Sequence, residues 1–141
     1  MLVMALLMLI GAAPVDQQQT KLIVIGHAET TPDEISWEEL VKVMKGQRPR
    51  WADGAKARIA LMKPKTSVGA LTAKKVYNMS TQELSKYWVA MVFEGKTSPP
   101  EFFSDEADLI KFVNKTEGAI GIISQNEQPV KVILVNGTDG I

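Results

Sequence analysis

Thr66 and Ser67 follow Lys63-Pro64-Lys65 and open a segment of helical periodicity. A turn of this kind leaves free N–H groups at a helix start. With two hydroxyls and two nearby ammonium groups, it can hold an oxyanion such as phosphate or sulfate. The same residue types also cap helices by bonding only their own backbone, and the two uses are compatible when the backbone donates to the ligand. His27, the single histidine, follows an apolar run at Gly26-His27-Ala28, the kind of sheet edge where α/β proteins place ligands. It can donate to an anion or respond to pH, and the hydroxyls of Thr30 and Thr31 can join it. An ordinary loop role is the competing reading.

Other chemistry finds little footing. There is no cysteine, which removes disulfides, thiolate nucleophiles and zinc sites built on Cys. One histidine offers a single base of that type, and no known nucleophile motif surrounds a serine. Asp33, Glu34, Glu38 and Glu39 cluster at a predicted helix start, where carboxylates favour the dipole without doing chemistry. Gly118-Ala119-Ile120-Gly121 lacks the Lys and Ser/Thr of a nucleotide loop. The expectation is a chain that is not an enzyme, with no cofactor and no metal.

The 141 residues suit one domain, and 45% apolar content can supply its core. Lys plus Arg and Asp plus Glu number 16 each, for a net charge of zero. A nucleic-acid binder needs a basic excess or stripe. The densest cluster (Arg48, Arg50, Lys56, Arg58) is broken by Trp51 and Asp53, so no nucleic-acid partner is expected. Residues 1–13 carry no polar side chain and end in Gly11-Ala12-Ala13. That is shorter than the roughly 20 residues of a membrane-crossing helix and reads as a signal peptide, although no basic residue follows Met1 and Pro14 follows the cut. The expected location is periplasmic or otherwise extracytoplasmic, soluble after removal of the signal. A retained anchor, or a segment packed on the domain, is the competing reading.

Residues 14–20 then form a polar spacer, 21–136 the domain and 137–141 a loose tail. Within the domain, Lys21 to Gly26 reads as a buried strand. Ser36-Trp37-Glu38-Glu39 and Ser80-Thr81-Gln82-Glu83 have the form of capping boxes. The first opens a helix ended by Gly46, the second a helix whose Leu84, Tyr87, Trp88, Met91 and Val92 recur at helical spacing and read as core. Arg58–Met62 is a strand, and a helix runs from Thr66 or Ser67 to about Tyr77. Another helix starts at Ser104 or Asp105 with Leu109, Ile110 and Val113 inward. Ala119–Ile123 and Val130–Val135 are the closing strands. This alternation predicts an α/β fold, a single three-layer-like lobe with helices packed on a mixed or parallel sheet. Trp51 is expected to close the core beneath its loop, with an exposed docking face as the alternative.

Several of these segments, in order, resemble the phosphate ABC transporter substrate-binding protein family of the type 2 periplasmic-binding superfamily, as a short stand-alone member. The resemblance is carried by Ser36 to Leu40 with Met44-Lys45-Gly46, and by Arg50-Trp51-Ala52-Asp53-Gly54, where Ala52 stands in a Trp-Pro-Asp-Gly-like loop. Tyr87-Trp88 through Lys96, Ser98-Pro99-Pro100, Ser104 to Ala107, and Glu117 to Gly121 followed by Ile122 instead of Tyr complete it. It covers nearly all of residues 21 to 135. It implies a type 2 periplasmic-binding-protein-like lobe and an ancestry in solute capture. Full-length members hold phosphate between two lobes, partly with a Gly-Ser-Gly-Thr turn. Here the matching turn is Lys65-Thr66-Ser67-Val68-Gly69, in a chain less than half as long.

Two functions follow from these readings. One is an exported small-anion (phosphate-like) binding module using Thr66, Ser67, His27 and Thr30. The other is a structural or protein-interaction module of the same fold that has lost the ligand site. The second predicts an apolar patch near Trp51 or Phe102-Phe103, and a homodimer or a cell-envelope protein partner.

Overall fold

The computed structural model describes Gly11, residues 20–124 and residues 128–141. The expected signal peptide and spacer therefore lie, but for Gly11 and Thr20, outside the described residues. The chain opens with β1 (Ile23–Gly26), β2 (Glu34–Ile35) and α1 (Trp37–Met44), then β3 (Arg58–Met62) and α2 (Ser67–Thr72), which runs into a π-helical turn (Ala73–Tyr77). There follow α3 (Thr81–Phe93), β4 (Glu101–Phe103), α4 (Glu106–Lys115), β5 (Ala119–Ile123), β6 (Lys131–Val132) and β7 (Leu134–Val135).

Five strands form one sheet in the order β4-β3-β5-β1-β6. β3 runs parallel to β4 and β5, while β1 is antiparallel to β5 and β6. The sheet is mixed, as expected. Its strands read as continuous apolar runs because helices cover both faces. Side chains alternate between them: Val24, Ile59, Leu61, Ile120 and Ile122 meet α1, the π turn and α3, whereas Ile25, Ala60, Met62 and Ile123 meet Leu109, Ile110 and Val113 of α4. The result is a three-layer α/β lobe.

The local signals act as their chemistry demands. Ser36 and Ser80 each accept the N–H three residues on, from Glu39 and Glu83, both at 3.1 Å, which fixes the starts of α1 and α3. Asp105 does the same for α4 through the N–H of Ala107. Tyr77 is buried, and its hydroxyl donates to Met44 O at 2.5 Å, joining the π turn to the end of α1. Burial pushes the Tyr77 phenol well above its usual range.

Four expectations need correction. The segment 130–135 is two short strands, not one. After β6 the chain leaves β1, and β7 pairs with β2 in a separate two-stranded sheet. β4 arises in the Pro99-Pro100 exit, where no period-2 pattern announced it. Of the five α3 residues read as core, only Leu84 and Trp88 are fully buried. Finally, residues 137–141 are not loose. Leu22 and Ile141 exchange both backbone hydrogen bonds, at 3.2 and 2.9 Å, and Lys21 pairs with Asp139 at 2.6 Å. The tail thus extends the pairing beside the start of β1.

Candidate functional site

The Thr66–Ser67 turn is built on the end of β3. Lys63 N–H donates to Phe103 O, and Lys63 O accepts both the N–H and the hydroxyl of Thr66, at 2.9 and 2.7 Å. The Thr66 hydroxyl in turn accepts Gly69 N–H at 3.0 Å. Gly69 packs so tightly that a Cβ there would lie 2.0 Å from Lys63 O, so only glycine lets α2 begin this close to the strand. The Thr66 hydroxyl is fully engaged as a cap. The N–H groups of Ser67 and Val68 have no partner inside the helix by its geometry, and none of the turn's hydrogen bonds uses them.

The electrostatics of this helix start differ from the others. The first turns of α1, α3 and α4 carry Glu38 and Glu39, Glu83, and Glu106 and Asp108, respectively. That of α2 carries no acidic residue. Its positive dipole end is left uncompensated, beside Lys63 and Lys65, with Ser67 exposed. The turn also stands at the carboxyl ends of the parallel strands β3, β4 and β5, the end where open α/β sheets accept ligands. At this same end, Met62, Ser104, Asp105, Glu106 and Ile110 line a hollow of about 360 Å³. Glu106 there receives the N–H and hydroxyl of Ser124, at 2.6 and 2.8 Å.

His27 and Thr30 are together, but elsewhere. Gly26 at the end of β1 is paired with Ile120, and Arg58 at the start of β3 with Ala119. The His27 loop therefore lies at the opposite end of the sheet from Thr66. The five residues of β3 alone separate them by about 13 Å. Four residues expected around one anion form two separate pairs. Their continuous apolar runs revealed both strands but not that β1 runs against β5 while β3 runs with it, which is what reverses the ends.

The Thr30 hydroxyl of this pair is already engaged. Thr30 Oγ1 accepts Gly118 N–H at 2.6 Å and lies 2.8 Å from His27 Nδ1. Having accepted from Gly118, it donates its proton to Nδ1, which Glu29 N–H also approaches at 3.4 Å. This network assigns the ring proton to Nε2. Lys131 closes the same loop by donating to Thr31 O at 2.5 Å and pairing with Asp33 at 2.9 Å, which holds the Asp33 carboxyl below its ordinary range. Thr30 and Thr31 do line a hollow of about 320 Å³ with Glu39, Arg48 and Trp51, but Arg48 is ion-paired with Glu39. Trp51 is buried and donates its indole N–H to Gly118 O at 2.8 Å. It closes the core and presents no docking face.

Among the described residues, no cluster of three or more His, Asp or Glu could hold a metal ion, and no helix is long and apolar enough to cross a membrane.

A mixed sheet with helices on both faces gives this lobe the fold of solved phosphate ABC transporter substrate-binding proteins. PstS from Borrelia burgdorferi matches with a TM-score of 0.63 at 18% identity, over 84% of this chain and 48% of that one. An ABC-type phosphate transport receptor from Vibrio cholerae matches at 0.64 and 15% identity, with the same coverage. A structure from Clostridium perfringens with bound phosphate matches at 0.62 and 16%, over 84% of this chain and 46% of that one. The chain thus spans about half the length of these structures. No protein-family profile and no curated protein matches its sequence.

Proposed function

We propose that this chain is a non-catalytic, extracytoplasmic binding module for a small oxyanion of the phosphate type, with the Ser67 and Val68 N–H groups as its donors. The observation that carries the reading is the α2 start, with two open N–H groups, no first-turn carboxylate and two flanking lysines. Its position at the carboxyl edge of a fold shared with phosphate receptors supports the same conclusion. We leave His27 and Thr30 out of this ligand set, since they stand at the opposite end of the sheet from Ser67. The apolar signal-like segment supports export.

Ser67→Pro tests this directly. Proline suits the first helical position, and Thr66 at φ −80° and ψ 155° already has the backbone that a following proline requires. The substitution deletes one donor N–H and one hydroxyl while leaving the helix start intact. Charge-assisted hydrogen bonds contribute about 1.5–3 kcal/mol each. Calorimetric titration should therefore show phosphate affinity falling by roughly 10- to 100-fold, with ligand-free stability unchanged. Absence of heat and of thermal shift for phosphate and sulfate with the unaltered chain would refute the proposal.

A further inference from the structure

α3 covers its neighbours unevenly. Leu84 and Trp88 face the core, and the Tyr87 hydroxyl donates to Lys45 O, so the helix leans on the α1 end and the π turn. Its other face carries Val89, Val92 and Phe93 with no strand beneath. Val89 is 71% and Phe93 91% exposed. Between this face and β4 runs an apolar groove of about 640 Å³, which also takes in Pro64, Pro99 and Phe102. β4 is the edge of the sheet, paired on one side only, and its outer N–H and C=O groups form a template for another strand.

We infer that two copies of this chain associate through the α3–β4 face. Three features point to a second copy as the occupant. The first is area. Phe93 alone offers about 200 Å², and with Val89, Val92 and Phe102 the apolar centre reaches about half of the roughly 800 Å² each partner contributes to a stable interface. Pro64, Pro99 and the β4 edge extend it. The second is shape. A two-fold contact brings the same patch to itself, and this patch has both a protruding Phe93 and a groove beside it. A two-fold axis perpendicular to β4 also sets the two β4 edges antiparallel, the geometry in which strands pair slightly more stably. The third is charge. The chain is neutral overall, and Lys86 and Glu101 are exposed near the groove, Lys86 lining a hollow with its Pro64 and Glu101 one with its Pro99. Neither takes part in an ion pair among the described residues, so each can meet its opposite across the axis.

The arrangement also bears on the anion site, and this part rests on the function proposed above. Pro64 lines the groove and lies two residues before Thr66. A partner seated there borders the open helix start and supplies a wall beside it.

Sedimentation velocity of the 141-residue chain between 1 and 100 µM, with phosphate titration of the same samples, tests both parts. The unaltered chain should be a dimer. Val89→Asp/Phe93→Asp should weaken association at least 100-fold, and these exposed positions leave the fold intact. The monomer it yields should bind phosphate at least tenfold more weakly. Ser67→Pro should stay dimeric while binding phosphate roughly 10- to 100-fold more weakly. A monomer at 100 µM, including one that floats with anionic lipid vesicles, overturns the interface. So does a double variant that still dimerises. A monomeric variant with full phosphate affinity overturns the shared wall. A dimer indifferent to phosphate overturns it too, by removing the anion reading on which it rests, but leaves the interface standing.

Discussion

Gly69→Ala sets two physical effects against each other. Within a helix the change should stabilise by about 1 kcal/mol, because alanine is the better helix former. The structure demands the opposite sign. A Cβ at residue 69 would lie 2.0 Å from Lys63 O and 2.7 Å from Met62 O, whereas ordinary contact begins near 3.4 Å. Both obstacles are backbone atoms at the end of β3, so neither can rotate away. The start of α2 must retreat by about 1.4 Å, which strains the two hydrogen bonds from Thr66 to Lys63 O. Overpacking costs about 1–3 kcal/mol or more, and each weakened hydrogen bond about 1 kcal/mol. The expected net loss is about 2–4 kcal/mol after the propensity gain, a fall in Tm of roughly 10 °C for a domain of this size. Thermal and urea unfolding followed by circular dichroism would measure it, and phosphate affinity should fall as the donor turn is displaced. Gly95→Ala is the control. Its φ is +67° but its surroundings are open, so only the left-handed backbone penalty of about 1–2 kcal/mol applies. A Gly69→Ala protein as stable as the unaltered chain would refute the close approach of α2 to β3.

Two consequences of pH follow. Burial raises the Tyr77 phenol, so its contribution is fully present below about pH 10 and is lost as pH rises, because the unfolded chain then ionises while the folded one does not. Stability should fall by about 1.4 kcal/mol per pH unit above that point, and comparison of Tyr77→Phe with the unaltered chain in alkaline urea melts should show this slope shallower by that amount in the variant. Lys21 holds the Asp139 carboxyl below its usual range of about 3.8. The tail pairing it supports is therefore present at neutral pH and lost as pH falls through the lowered value. Hydrogen exchange of the Ile141 amide should accelerate relative to core amides under acid, and Asp139→Asn should show the faster exchange already at neutral pH.

The sequence by itself determined the elements whose causes are local. The capping serines at 36 and 80, the apolar run of β3 and the inward stripe of α4 depend on neighbours within a few residues, and each stands where its pattern put it. The Thr66 turn was legible for the same reason, as a helix start at Thr66 or Ser67, and Thr66 is the residue that caps it. Tertiary structure alone decided the strand directions, which a period of two does not encode, and so separated His27 and Thr30 from Thr66 and Ser67. It also decided which apolar side chains of α3 find a neighbour. Leu84 and Val92 belong to one periodic pattern, yet Leu84 is buried and Val92 is 40% exposed, because burial depends on what lies across the space. Lys63 O approaches Gly69, and Leu22 meets Ile141, through contacts made by chain segments that only the fold brings together.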